Sequence, residues 1–182
     1  IPYYLFSIRL NYPNADIILL YNDTLPNNIK KYIEQFNNVR VLENVGSNLE
    51  WLNSIKHRGA AKQSLRHVLY FDFYQNYDNI YFGDVDILIL NERENLFDFH
   101  KKQSEIRNMP FSNKVRPLPD NLNKPSKRLT GLHFIKVKSY FDKIRPFQLK
   151  FMNDVNYRDS ILNKSNRNEE VLFHLCKDAF NF

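Results

Sequence analysis

Apolar and polar positions alternate along this chain in blocks that read as helix, strand, helix, strand. Residues 2–10 form a short helix candidate, with Pro2 suited to a first turn and Pro13 just past its end. Residues 15–21 (ADIILLY) are an apolar run between Asn14 and Asn22-Asp23, the pattern of a buried strand bounded by turns. Asp23 or Thr24 then precedes Pro26, and Ile29, Tyr32, Ile33 and Phe36 recur at helical spacing before a second short strand, VRVL, at 39–42. Strand, helix and strand in that order predict an α/β fold with a mostly parallel central sheet flanked by helices.

From 49 to 74 the period is helical again: Ala61, Leu65, Val68, Leu69 and Phe73 make one stripe. Arg58, Lys62 and Arg66, four apart, share another face. After a turn at 76–79, residues 80–90 (IYFGDVDILIL) are the most apolar stretch of the chain apart from two carboxylates. A helix is expected around 94–99. Residues 101–128 contain Pro110, Pro117, Pro119 and Pro125 with little periodicity, and read as a long mobile basic loop. Residues 130–137 (TGLHFIKV) predict a strand apolar on both faces, and Ser139 and Asn168 are candidate N-caps for the last helices.

Composition narrows the class. The 182 residues suit one core and a single domain, 43% hydrophobic and 25% charged, which excludes a disordered chain. The formal charge of +6 favours anionic partners, including nucleotide phosphates and the acidic face of a membrane. Basic and aromatic residues do not interleave as in nucleic-acid readers, so no nucleic-acid partner is expected. Cys176 is the only cysteine, which excludes an intrachain disulfide and fits a reducing, cytoplasmic setting. No apolar run approaches the roughly 20 residues of a membrane span, leaving peripheral association at the inner face of a membrane. The start at Ile1, not Met, and the abrupt end at Phe182 suggest a piece of a longer chain.

The candidate chemistry lies in the apolar stretch. On a strand, Asp84 and Asp86 face the same side. Desolvating an ionised carboxylate costs several kcal/mol, and a like charge beside it adds to that. No basic residue lies between Tyr81 and Leu90, so a divalent cation would offset both penalties. Gly83 allows a bend or close approach just before the pair.

The segment YDNIYFGDVDILI (77–89) is similar to the DxD region of GT-A glycosyltransferases, above all bacterial enzymes of surface-glycan synthesis. The likeness, loosest outside this segment, is to retaining families, family 8 among them. It implies a GT-A-like single domain in which Asp84 and Asp86 hold Mn²⁺ or Mg²⁺. The donor would be a nucleoside diphosphate sugar, with UDP as the nucleotide, and the acceptor a surface glycan. The resemblance makes Asp86 the direct ligand and gives Asp84 the ribose, the donor sugar or a water-mediated contact. Arg58, Lys62 and Arg66 would steady the diphosphate, and Gly131 and His133, in the small-residue turn TGLH, would line the sugar site. Glu169 and Glu170 would face the acceptor. The chain departs from the pattern in two places: the first nucleotide-binding strand is absent or lies before Ile1, and the C-terminal metal-binding His of several retaining families has no clear counterpart unless it lies beyond Phe182.

Blander readings stand beside these. Arg58, Lys62 and Arg66 equally describe the solvated side of an amphipathic helix. Glu169 and Glu170 fall in a helix's first turn, where carboxylates favour the dipole. His133, in an apolar strand, fits a hydrogen-bonded core histidine. A nucleotidyltransferase using Asp84 and Asp86 for two-metal chemistry is the competing enzyme class, and a basic module binding glycan or nucleic acid the competing non-catalytic one.

Overall fold

The computed structural model describes residues 1–54, 58–118 and 121–182. It is a mixed α/β protein that divides into two compact units, Ile1–Ser54 with Asp84–Arg93, and Ile55–Gly83 with Glu94–Phe182. No helix among the described residues is long and apolar enough to cross a membrane.

The first unit contains helix α1 (Pro2–Asn11), strand β1 (Ile17–Leu20), helix α2 (Asn27–Ile33), strand β2 (Val39–Leu42) and a single helical turn, α3 (Trp51–Ser54). Strands β1 and β2 pair in parallel from Ile17↔Val39 to Leu20↔Leu42, with α2 in the crossover. Leu5 of α1, Ile17 and Leu19 of β1, Leu25 and Ile33 form the core. The turn into β1 is organised by Arg9, whose guanidinium donates to the carbonyls of Pro13 (3.0 Å), Ala15 (2.6 Å) and Asn38 (3.2 Å).

Residues 84–93 return to this unit as a strap. The Ile89 N–H donates to Ser7 Oγ at 3.1 Å, and its C=O accepts from Asn11 Nδ2 at 2.8 Å. Ser7 and Asn11, one helical turn apart on α1, thus satisfy a backbone unit as a neighbouring strand would. Ser7→Ala combined with Asn11→Ala is expected to speed exchange of the Ile89 amide at least about tenfold, since each bond contributes roughly 1 kcal/mol. Site-resolved hydrogen exchange reads this directly, and an unchanged rate would remove the clamp.

In the second unit helix α4 (Arg58–Val68) leads through a 3-10 turn (Asp72–Asn76) into β3 (Asn79–Phe82). Helix α5 (Leu96–Ile106) follows, capped by Asn95 Oδ1, which accepts from the Phe97 amide at 2.9 Å. Then come β4 (Phe111–Ser112), β5 (Val115–Leu118), β6 (Asn121–Leu129), β7 (His133–Lys136) and helices α6 (Val137–Asn153), α7 (Val155–Leu162) and α8 (Asn168–Phe180). Strand β7 is central in the sheet β3-β7-β4, antiparallel to both neighbours. His133, Phe134 and Ile135 are all fully buried. Both faces of β7 are covered: Phe134 stacks on His100 of α5, and His133 meets Tyr140 of α6.

Several expectations change. The sheet is not mostly parallel: among the described residues only β1 and β2 pair in parallel. The stretch 101–128 is not a long loop but the end of α5, strand β4 and most of an antiparallel hairpin, β5-β6. Pro117 and Pro125 face each other in that hairpin across register shifts. Proline cannot donate to a ladder, so this pairing lacks the alternation that marks a strand in sequence. Helix α6 begins at Val137, which places Ser139 inside it, and Asn168 is the first residue of α8, one past the cap.

Candidate functional site

Strand β3 pairs with β7 only as far as Phe82↔His133, and the chain leaves the sheet at Gly83. Val85 and Asp86 form a turn; Asp84 is half-buried and Asp86 exposed. The expectation of two carboxylates locked inside a buried strand is therefore corrected. Water solvates Asp86, and the desolvation argument applies at most to Asp84. The following residues are no buried strand either, since Leu88 is 60% exposed and Leu90 69%.

What fixes the start of this turn is Arg66. Its Nη1 donates to the Gly83 carbonyl at 3.2 Å and its Nε to His67 Nε2 at 3.1 Å. Arg66 thus holds main chain rather than lying on a solvated face. Acceptance at Nε2 leaves the proton of a neutral His67 on Nδ1, a buried atom with no hydrogen-bond partner among the described residues. The His67 ring packs edge-on against Phe82 (5.8 Å) and His133 (6.2 Å). Lys62 is exposed on α4, and Arg58 opens that helix with its side chain outside the described residues.

The turn before β7 is organised by Asn113, which sequence reasoning missed. Its Oδ1 accepts from the Thr130 amide (3.0 Å), the Thr130 hydroxyl (2.6 Å) and the Lys114 amide (2.6 Å). Its Nδ2 donates to the Thr130 carbonyl (3.2 Å) and to His133 Nδ1 (3.0 Å). With backbone amides fixing the oxygen side, the amide orientation is determined, and so is the Nε2–H tautomer of His133. That nitrogen meets the Tyr140 hydroxyl at 3.1 Å, which lies 3.7 Å from Cys176 Sγ. Burial first, then His100 and Arg66, depress the His133 pKa to about 3. Burial also raises the Tyr140 phenol and moves the Cys176 thiol up to about 12. The result is a neutral core chain of hydrogen bonds. His133, with both ring nitrogens engaged, is a structural histidine rather than a donor-site ligand, and Gly131 is buried in the bend that Asn113 shapes. In a chain this rich in Asn, nothing in the sequence singles out residue 113.

Glu169 and Glu170 are also occupied. Glu169 Oε1 pairs with Arg128 at 3.1 Å and Arg116 at 3.8 Å. Glu170 Oε2 accepts from the amides of Asn166 (2.6 Å) and Arg167 (3.2 Å), capping α8. Neither is poised to take a proton from an acceptor. Among the described residues no group of three or more His, Cys, Asp or Glu is arranged around a metal. Arg66, Gly131, His133, Glu169 and Glu170 belong to the second unit, Asp84 and Asp86 to the first. No family model, curated protein or solved structure matches the chain.

Proposed function

We propose that this chain is a metal-dependent glycosyltransferase of GT-A-like fold, moving a sugar from a nucleoside diphosphate donor to an acceptor hydroxyl. One observation carries the reading: the Asp84-Val85-Asp86 turn begins where β3 leaves the sheet, behind a Gly83 carbonyl held by Arg66. The parallel β1-α2-β2 unit ahead of it supports the nucleotide-binding part of the same reading. Mn²⁺ and Mg²⁺ suit a site of two carboxylates, because these hard ions keep several waters and take further oxygens from substrate phosphates. When bound, the ion supplies charge neutralisation at the leaving diphosphate. In this reading Asp86, exposed on the turn, is the direct ligand, and Asp84 orients the ribose or sugar or acts through water. The acceptor oxygen bonds to the anomeric carbon, the bond to the diphosphate breaks, and the hydroxyl proton is released. The reading carries with it a cytoplasmic place of work at the inner face of a membrane.

A thermal-shift panel of nucleotides and nucleotide sugars, each with and without Mn²⁺, tests this. One nucleoside diphosphate sugar together with Mn²⁺ is expected to raise the midpoint by about 5–10 °C at a hundredfold excess over Kd, where binding adds about 2.7 kcal/mol. A larger metal-dependent shift with nucleoside triphosphates would reassign the turn to nucleotidyl transfer. A flat panel would end the enzyme reading.

A further inference from the structure

The geometry points to a second binding surface, at the open end of the β5-β6 hairpin and the start of α8, that takes an anionic glycan. It rests on the transferase reading only in making that glycan the acceptor.

Residues 101–128 hold eight Lys or Arg against Glu105 and Asp120, a surplus of six that equals the formal charge of the whole chain. The structure folds the later part of this segment into one place. Val115 pairs with Leu129, the Thr130 amide donates to the Lys114 carbonyl at 3.1 Å, and Ser126 Oγ donates to the Arg116 carbonyl at 2.7 Å. Lys114, Arg116, Lys127 and Arg128 therefore lie on the paired ends of one hairpin. Strand β6 packs on α8, where Arg116 and Arg128 converge on Glu169. The connection from α7 adds exposed Lys164 and Arg167. Lys127 of the hairpin and Lys164 of the connection both bear on His174 of α8, whose pKa is lowered by burial first and then by Lys164 and Lys127, against the opposing pull of Asp178 and Glu170. The two lysines thus lie near the same helix.

Of the described carboxylates nearby, Glu169 is held by two arginines, Glu170 by backbone amides, and Asp178 accepts from the Tyr157 hydroxyl at 2.6 Å. Among the described residues, exposed Lys114, Lys127 and Lys164 form no ion pair, so their charge is directed to solvent. Beside them lie Ser126, Asn163 and Asn166, side chains that exchange hydrogen bonds with sugar hydroxyls. Neither 114–129 nor 163–168 contains an aromatic residue, so the surface lacks the stacking platform that single-stranded nucleic acid requires. Cations with amides and hydroxyls, and no rings, select a polymer of acidic sugars.

The test uses the full chain with fluorescently labelled polygalacturonate, neutral dextran and poly(U), read by anisotropy at two salt concentrations. Polygalacturonate is expected to bind, to weaken as salt rises, and to lose at least about tenfold in affinity in the Lys114→Gln, Lys127→Gln, Lys164→Gln triple variant. Dextran is expected not to bind. The triple variant should keep the wild-type melting midpoint and any shift given by Mn²⁺ with a nucleotide sugar. Absent binding by wild type, undiminished binding by the variant, or poly(U) held as tightly as polygalacturonate would each overturn the assignment. Glycan binding beside a flat nucleotide-sugar panel would leave this surface standing and remove the transferase; the reverse pair of results would do the opposite.

Discussion

Replacing Asp86 by Ala is expected to lower metal-dependent sugar transfer by about a thousandfold or more, while the melting midpoint moves by no more than about 2 °C. The two effects separate because Asp86 is exposed on a turn outside the sheet. Surface substitutions of that kind stay within about 0.5 kcal/mol of the parent, and for a chain of this size 1 kcal/mol corresponds to about 2–4 °C. The role proposed for it in transfer is larger: ion-assisted departure of a diphosphate would draw several kcal/mol from charge neutralisation, and 4 kcal/mol is about a thousandfold in rate. Asp86→Asn should lie near Asp86→Ala, since an amide oxygen keeps the shape but not the charge. Asp84→Ala is the less clean probe, because that side chain is half-buried and its loss mixes packing with chemistry. Transfer by an Asp86→Ala enzyme at the parental rate would show that the turn is not the metal site.

Which parts were legible in the sequence follows from where each element finds its partner. The β1-α2-β2 unit was readable because IILL and VRVL carry their own signal, and Ile29, Ile33 and Phe36 supply a helical face that meets the core between them. Strand β7 was readable for the same reason, apolar residues on both faces with helices covering each. The run Ile87 to Leu90 reads as a buried strand because it is apolar and uncharged, yet Leu88 and Leu90 are exposed. Among the described residues no strand pairs with it, and its backbone is satisfied at Ile89 by side chains 78 and 82 positions away. No local pattern encodes that. The hairpin was hidden by Pro117 and Pro125, which interrupt periodicity wherever they occur, and its pairing tolerates them only through register shifts. At the candidate site the motif itself was visible and its support was not. The reach of Arg66 to the Gly83 carbonyl spans 17 positions and that of Asn113 to His133 spans 20. The first depends on how α4 packs beside the end of β3 and the second on the antiparallel register of β4 and β7, neither of which a single sequence fixes.

The ring of His67 on α4 packs edge-on against His133 of β7, and acid is expected to expose the consequence. Burial, then Arg66 and His133, hold the His67 pKa well below its ordinary value; burial, then His100 and Arg66, hold His133 at about 3. In the unfolded chain both imidazoles accept a proton near pH 6.5. Unfolding below that pH therefore takes up protons, so the stability these residues contribute is complete above pH 6.5 and is lost as pH falls towards 3. His133, with its folded value at about 3, accounts for about 1.4 kcal/mol per pH unit across that window, about 2 kcal/mol by pH 5. His67 adds to this in the same direction, and together they draw on the 5–15 kcal/mol typical of a folded domain. Urea unfolding at pH 7, 6 and 5 measures the slope, and His133→Gln should reduce it even where its baseline is lower. If that variant does not fold, the His133 ring resonances in the parent, unshifted down to pH 5, carry the same information. A slope that survives unchanged in both His133→Gln and His67→Gln would mean that the two rings are not held neutral by the core. Protonation is resisted twice over: His67 already accepts the Arg66 Nε–H and His133 the Asn113 amide, and two imidazolium rings 6.2 Å apart beside a guanidinium would repel one another.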